Sequence, residues 1–118
     1  MGFNFNGNVP IYLQIIERIK LQIIRKELVP GQKLPAVRDL SLQYSVNPNT
    51  AQKALAELES LGLIFTERTN GKFVTLDESA IKRETERTIE QKLNEFCCSM
   101  AELGLDKSEI IKKLNEKE

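Results

Sequence analysis

The chain has no histidine and no tryptophan, only two cysteines, and no charge excess of either sign. Without histidine, the commonest general base and the commonest metal ligand are both missing. No nucleophile elbow, phosphate-cradling loop or clustered carboxylates take its place, so no enzyme, catalytic residue, cofactor or metal site is expected. No apolar run approaches the ~18 residues that a membrane helix needs, so no membrane partner is expected. The start, Met1-Gly2-Phe3-Asn4-Phe5-Asn6, lacks a basic region followed by an apolar stretch, so no secretory leader is expected either. The default is a soluble cytoplasmic protein. Cys97 and Cys98 are adjacent, and neighbours on a helix point about 100° apart, too divergent to bond to each other without strain. They read either as two small buried or half-buried side chains or as a redox or metal sensor working across a dimer.

What is present fits one small domain with an appendage: 118 residues, 41% apolar and 29% charged. The zero net charge hides an asymmetry. Residues 1–76 hold nine basic and six acidic side chains, whereas residues 77–118 hold eight and eleven. A mildly basic head and a mildly acidic tail are expected if only the head meets phosphate.

Residues 1–8 are rich in Asn and Gly and read as loose. Pro10 then opens a helix in which Ile11, Ile15, Ile16, Ile19, Ile23 and Ile24 recur at helical spacing, with Glu17, Arg18, Lys20, Gln22 and Arg25 on the other face. It should run to about Glu27, before the turn dipeptide Pro30-Gly31. A second, short helix spans Leu34 to Ser41, burying Val37, Leu40 and Tyr44; Ala36 stands where a capping side chain would help. After a turn at Tyr44-Ser45-Val46, Asn47 caps and Pro48 starts a third helix. Its stripe is Ala51, Ala54, Leu55, Leu58 and Leu61, and Gly62 closes it. Two strand-like runs, 63–68 and 73–76, flank Asn70-Gly71, a pair suited to a type I′ turn with both residues at positive φ. A long helix follows from Asp77 to about Leu103 and ends at Gly104. A last helix is capped by Asp106 and Glu109, with Leu105 stapled onto Ile110.

Helix, turn, helix and hairpin is the order of a winged helix-turn-helix, so the fold expected is mostly α with a small β hairpin, followed by a two-helix tail. Residues 9–76 form the head and 77–118 the tail. A recognition helix offers a polar first turn to base edges. Asn49, Thr50, Gln52 and Lys53 lie off the apolar stripe: Asn49 and Gln52 suit adenine, Thr50 a phosphate or a thymine methyl, and Lys53 phosphate. The helix start would add backbone N–H groups aimed at phosphates. A polar face is also normal on any surface helix, and the ribbon that follows is what favours the DNA reading. Arg38 could reach a phosphate, or merely pair with Asp39 or Glu57. Arg68 and Lys72 could reach the minor groove or its phosphates, or serve as ordinary edge charge.

Six stretches carry a resemblance: Pro10-Ile11-Tyr12-Leu13-Gln14-Ile15, Pro30-Gly31-Gln32-Lys33-Leu34-Pro35, Arg38-Asp39-Leu40-Ser41, 47–55 from Asn47 to Leu55, 58–64 from Leu58 to Ile64, and Gly71-Lys72-Phe73-Val74. In this order and spacing they resemble the bacterial GntR family of transcription regulators, and the short tail looks like the YtrA subfamily. The resemblance implies that Arg38 contacts DNA, as do Asn47, Asn49, Thr50, Gln52 and Lys53 at the recognition helix, and Asn70, Gly71 and Lys72 in the wing. It also implies a homodimeric repressor, often of transporter operons. Ala36 replaces the family's usual Ser, and Pro48 and Gln52 stand where many members have Arg. The tail stripe, with Ile81, Ile89, Leu93, Phe96, Met100 and Leu103 as the dimerisation residues, could cover the chain's own head or a second copy, and a second copy is favoured. Two heads on a two-fold axis would read a palindromic duplex with half-sites about 34 Å apart. No pocket can be read from the tail, so a small-molecule effector is left open. The alternative is a winged-helix interaction module that docks a partner through the long C-terminal helix.

Overall fold

Isoleucines returning every three or four residues predict one buried helical face. In the computed structural model, which describes residues 5–117, they form α1 (Ile11–Ile24), with Ile15, Ile16, Ile19 and Ile23 buried. The helix stops before Glu27. Lys26 turns to a left-handed φ of 65°, and the N–H groups of Glu27 and Leu28 both donate back to the Gln22 carbonyl at 2.8 and 3.0 Å. Ile11, expected on the buried face, is exposed at the helix start. Residues 1–4 lie outside the described residues. Residues 5–8, read as loose, are held. Gln14 accepts from the Asn6 N–H at 2.7 Å and donates to the Asn6 and Val9 carbonyls, while the Phe5 ring tilts against Tyr44.

The second helix, α2 (Val37–Tyr44), starts later than its pattern suggests. Leu34 precedes a proline, which biases it away from helical φ/ψ, and residues 32–34 run along the ribbon instead, after a turn at Gly31. Gly31 and Leu34 donate to the Val74 and Lys72 carbonyls, and Val74 donates to Gln32. No side chain caps α2 at Ala36, as the sequence suggests. Ser45 in left-handed backbone (φ 56°) turns the chain into α3 (Pro48–Ser60), where Asn47 caps and Pro48 sits in the first turn. Ala51, Ala54, Leu55 and Leu58 are its buried stripe.

The ribbon comprises β1 (Ile64–Glu67) and β2 (Gly71–Val74), antiparallel, with Ile64 opposite Val74 and Glu67 opposite Gly71. Its turn is not the expected two-residue kind. Three residues, 68–70, separate the last pair, and the Asn70 N–H closes on the Glu67 carbonyl at 3.2 Å. Gly71 alone takes positive φ (105°), while Asn70 does not. This is the longer hairpin connection, in which glycine absorbs the left-handed step. The segment 31–34 on the other edge of β2 gives the ribbon the support that a two-strand hairpin lacks alone.

The chain divides into two compact units, with the boundary between Glu84 and Thr85, inside α4 (Glu78–Glu102). The first unit closes on one core of α1, α2, α3, Leu34, Leu63, Ile64 and Val74. The first turns of α4 belong to it. Ile81, expected at a joint between copies, is 4% exposed and part of this core. It cannot meet a partner there without leaving it. Lys20, expected on the polar face of α1, is likewise buried, and its ammonium lies 3.4 Å from the Glu84 carboxylate and 3.7 Å from Glu17.

The second unit holds the rest of α4 and α5 (Lys107–Asn115). The turn at Gly104 returns the Leu105 N–H to the Met100 carbonyl, and Asp106 and Glu109 exchange both capping-box hydrogen bonds at 2.9 and 3.0 Å. Ile110 is buried and Leu105 half-buried. Ile89, Leu93, Phe96, Leu103, Ile111 and Leu114 are exposed. Cys97 and Cys98, read as buried or half-buried in the simpler view, are both exposed free thiols. No group of three metal-ligating side chains occurs among the described residues.

Candidate nucleic-acid interface

The first turn of α3 is shaped by its cap. Asn47 Oδ1 accepts from the Asn49 N–H at 2.8 Å, and the Asn47 carbonyl accepts from Thr50 and Ala51 at 2.9 and 3.2 Å. Pro48 has no N–H. The expected backbone donors are therefore already used within the helix, and what the helix start offers an anion is its dipole. Asn47 itself is exposed and serves as a structural cap, its side-chain oxygen engaged by the Asn49 N–H.

Asn49, Thr50, Gln52 and Lys53 stand off the buried stripe as expected: Thr50 is half-buried and the other three are exposed. Asn49, Thr50 and Lys53 line one open groove of about 310 Å³ together with Ile11 and Tyr12 from the start of α1. The Lys53 ammonium lies 4.0 Å from the centroid of the Tyr12 ring. Sequence reasoning missed both α1 residues, because helical periodicity assigned Ile11 to the core and left Tyr12 without a role. Arg38 is exposed on α2, outside that groove, and among the described residues it forms no ion pair with Asp39 or Glu57.

At the wing, Arg68 is exposed, while Asn70 donates to the Glu67 carboxylate at 3.0 Å. Lys72 does not present a free charge. Its ammonium donates to Glu59 Oε1 at 3.2 Å and to Thr66 Oγ1 at 2.7 Å, and its side chain is only 18% exposed. Thr66 also donates to Glu59 at 3.0 Å. The Thr66 hydroxyl is the main cause that holds the Glu59 carboxyl below its ordinary range; slight burial opposes this, and Lys72 reinforces it. These three side chains tie the ribbon to the end of α3. Lys33, unmarked in the sequence, lies beside the tip: a Cβ on Gly71 would meet its Cε at 3.4 Å. Deeper in the unit, burial raises the Tyr44 hydroxyl's pKa, partly offset by the charge and hydrogen bond of Arg18.

The description "Bacterial regulatory proteins, gntR family" matches residues 11–74. The uncharacterized HTH-type transcriptional regulator YhcF of Bacillus subtilis (strain 168) is 40% identical over 111 residues, 94% of this chain and 92% of its own. The HTH-type transcriptional repressor YtrA of the same organism is 42% identical over 69 residues, 58% of this chain and 53% of its own. Among solved structures, a GntR family transcriptional regulator from Listeria monocytogenes covers 97% of this chain and 100% of its own, with TM-score 0.89 and 36% identity. The AraR DNA-binding domain, solved in complex with operator ORX1, covers 64% of this chain and 92% of its own, with TM-score 0.56 and 30% identity.

Proposed function

The chain belongs to the gntR family of bacterial regulatory proteins, and from that premise we propose that it is a homodimeric, DNA-binding transcriptional repressor of a palindromic operator, acting in the cytoplasm. The observation that carries the reading is the exposed first turn of α3, with Asn49, Gln52 and Lys53 free of the core on a capped helix beside a braced ribbon. Exposed amide side chains there can bond base edges in pairs, and Arg38, Lys53 and Arg68 supply charge for the backbone. The AraR domain seen with its operator supports this use of the fold. The exposed apolar face of the second unit, Ile89, Leu93, Phe96 and Leu103, supports a second copy as its cover. The repressor YtrA supports repression, and the family resemblance points to transporter genes as the regulated set.

Mobility shift on the promoter upstream of the chain's own gene tests the reading. Expected are a retarded complex containing two chains and an affinity that falls at least tenfold as salt is raised severalfold, through counterion release. Binding to no duplex, or binding indifferent to salt, rejects it.

A further inference from the structure

Lysine is a flexible side chain with a strongly hydrated ammonium, and on an exposed helical turn it samples many rotamers. Lys53 is exposed, yet its ammonium sits 4.0 Å from the centroid of the Tyr12 ring, at an open groove whose other walls are Ile11, Asn49 and Thr50. The ring belongs to a different helix, 37 to 41 positions before Asn49, Thr50, Gln52 and Lys53 in the chain's own order. Ile11 is also where α1 departs from its apolar pattern, facing outward rather than into the core, while Tyr12 beside it is half-buried with one side against the core. The groove, about 310 Å³, is open to solvent, so a backbone phosphate can approach it.

We propose that Tyr12 is a positioning residue of the DNA interface, its ring holding the Lys53 ammonium at this groove so that the groove seats one phosphate of a duplex backbone. The proposal rests on the DNA-binding reading above and adds the start of α1 to the recognition helix and wing. A cation over an aromatic face is attracted by the ring quadrupole, and the attraction survives at an exposed site. Holding the ammonium in place before the duplex arrives lowers the entropy lost when the phosphate contact forms. The ring rather than the hydroxyl does this, so Tyr12→Phe leaves it intact.

The test uses the full chain and a duplex selected by the wild-type protein from random sequence. Tyr12→Leu should weaken binding by roughly two- to fivefold, the worth of an exposed cation–π contact. Tyr12→Phe should bind as wild type. Lys53→Met should reduce the log–log salt slope by about 0.9, one phosphate contact. Adding Tyr12→Leu to Lys53→Met should cost nothing more, because the ring acts through that ammonium. The pair can be checked in the free protein by NMR, where the Lys53 Cε protons, lying over a ring, should resonate upfield in wild type and Tyr12→Phe but not in Tyr12→Leu. If Tyr12→Leu merely unfolded the head, the Phe variant and the resonance would still decide the matter. Wild-type affinity in a folded Tyr12→Leu, an equal further loss in the Lys53→Met background, or an unshifted Lys53 resonance overturns the proposal alone. Failure of the wild-type chain to select any duplex overturns the DNA reading with it.

Discussion

The two units treat their apolar side chains in opposite ways. Up to Glu84, the isoleucines and leucines of three helices and a ribbon converge on one core, and Ile15, Ile23, Leu58, Leu63 and Val74 are fully buried. From Thr85 on, Ile110 is the one buried large apolar residue among the described ones, while Leu93 is 53% exposed and Leu103 74%. Each large apolar side chain left in water forgoes roughly 1.5–3 kcal/mol that burial would return. The first unit therefore has the means to hold its own fold, and the second carries a surface whose value is realised only when something covers it. A helix can keep its shape through caps such as Asp106–Glu109 without hiding its stripe. The sign of burial, not of helicity, separates a folding element from a docking one.

The two units should part most clearly when one leucine is removed from each. Leu58→Ala should destabilise the chain by about 2–5 kcal/mol, read from urea unfolding, because it deletes a fully buried side chain and leaves a cavity. Leu93→Ala should leave that unfolding of the first unit within about 0.5 kcal/mol, as an exposed position does. Its more disruptive relative, Leu93→Asp, should turn the proposed dimer into a monomer in sedimentation and lower operator affinity while the core stays intact. A monomeric wild type, or a Leu93→Ala chain as damaged as Leu58→Ala, would erase the distinction.

The boundary between the units can be probed through the buried Lys20–Glu84 pair. Lys20→Met alone should cost about 3–5 kcal/mol, since it takes the ammonium away from a carboxylate that is itself buried. Lys20→Met with Glu84→Leu should recover most of that loss, because two well-packed apolar groups replace two desolvated charges. If the double variant is as unstable as the single one, the first turns of α4 are not packed as part of the head. Thermal unfolding of the three chains decides it.

The local features of the fold follow from the sequence alone. Periodicity marks Ile15, Ile19, Leu55 and Leu58 as core because a helix repeats its faces through local geometry alone. Asn47-Pro48 marks the start of α3 because capping chemistry is equally local. The residues of α3 expected to face DNA do stand off its stripe for the same reason. What could not be read depends on which elements meet. Ile81 and Lys20 continue their helical patterns without a break, and only the approach of α4 to α1 makes the first a core residue and the second a buried cation. Lys72 and Asn47 resemble free polar groups until Glu59 and the Asn49 N–H are brought beside them. At 68–71 Asn-Gly satisfies a two-residue turn locally, whereas the pairing of Glu67 with Gly71 sets a longer one.

Base reading separates two kinds of polar residue within the first unit. Arg38→Ala should weaken binding to every duplex alike, with a shallower salt slope, because a phosphate contact carries no sequence information. Gln52→Ala should relax discrimination at one base position by ~1–3 kcal/mol and leave the slope unchanged. Competition titrations against single-base variants of a selected duplex would expose the reverse pattern, which would exchange the two roles.

The smallest expected effect concerns the tie between ribbon and helix. Thr66, first, and Lys72 hold the Glu59 carboxyl below the ordinary value of 4.5 in the folded chain, against slight burial. A depressed carboxyl stabilises the folded state above its unfolded pKa, and that contribution disappears as pH falls through the lower folded value. The ribbon should therefore loosen only below about pH 4.5, by less than about 1 kcal/mol because the group is solvent-screened. Relative to intrinsic exchange, protection of the Phe65 and Phe73 amides should fall over that range in wild type. Glu59→Gln should be slightly less protected at neutral pH and show no further loss in acid, since the amide keeps an acceptor for Thr66 but has no proton to gain. Parallel acid profiles in both chains would mean that Glu59 does not hold the wing. The same variant releases Lys72 from its counter-charge, so its affinity for non-specific duplex should rise and its salt slope steepen by up to about 0.9. An unchanged slope would show that Lys72 braces the ribbon and nothing more.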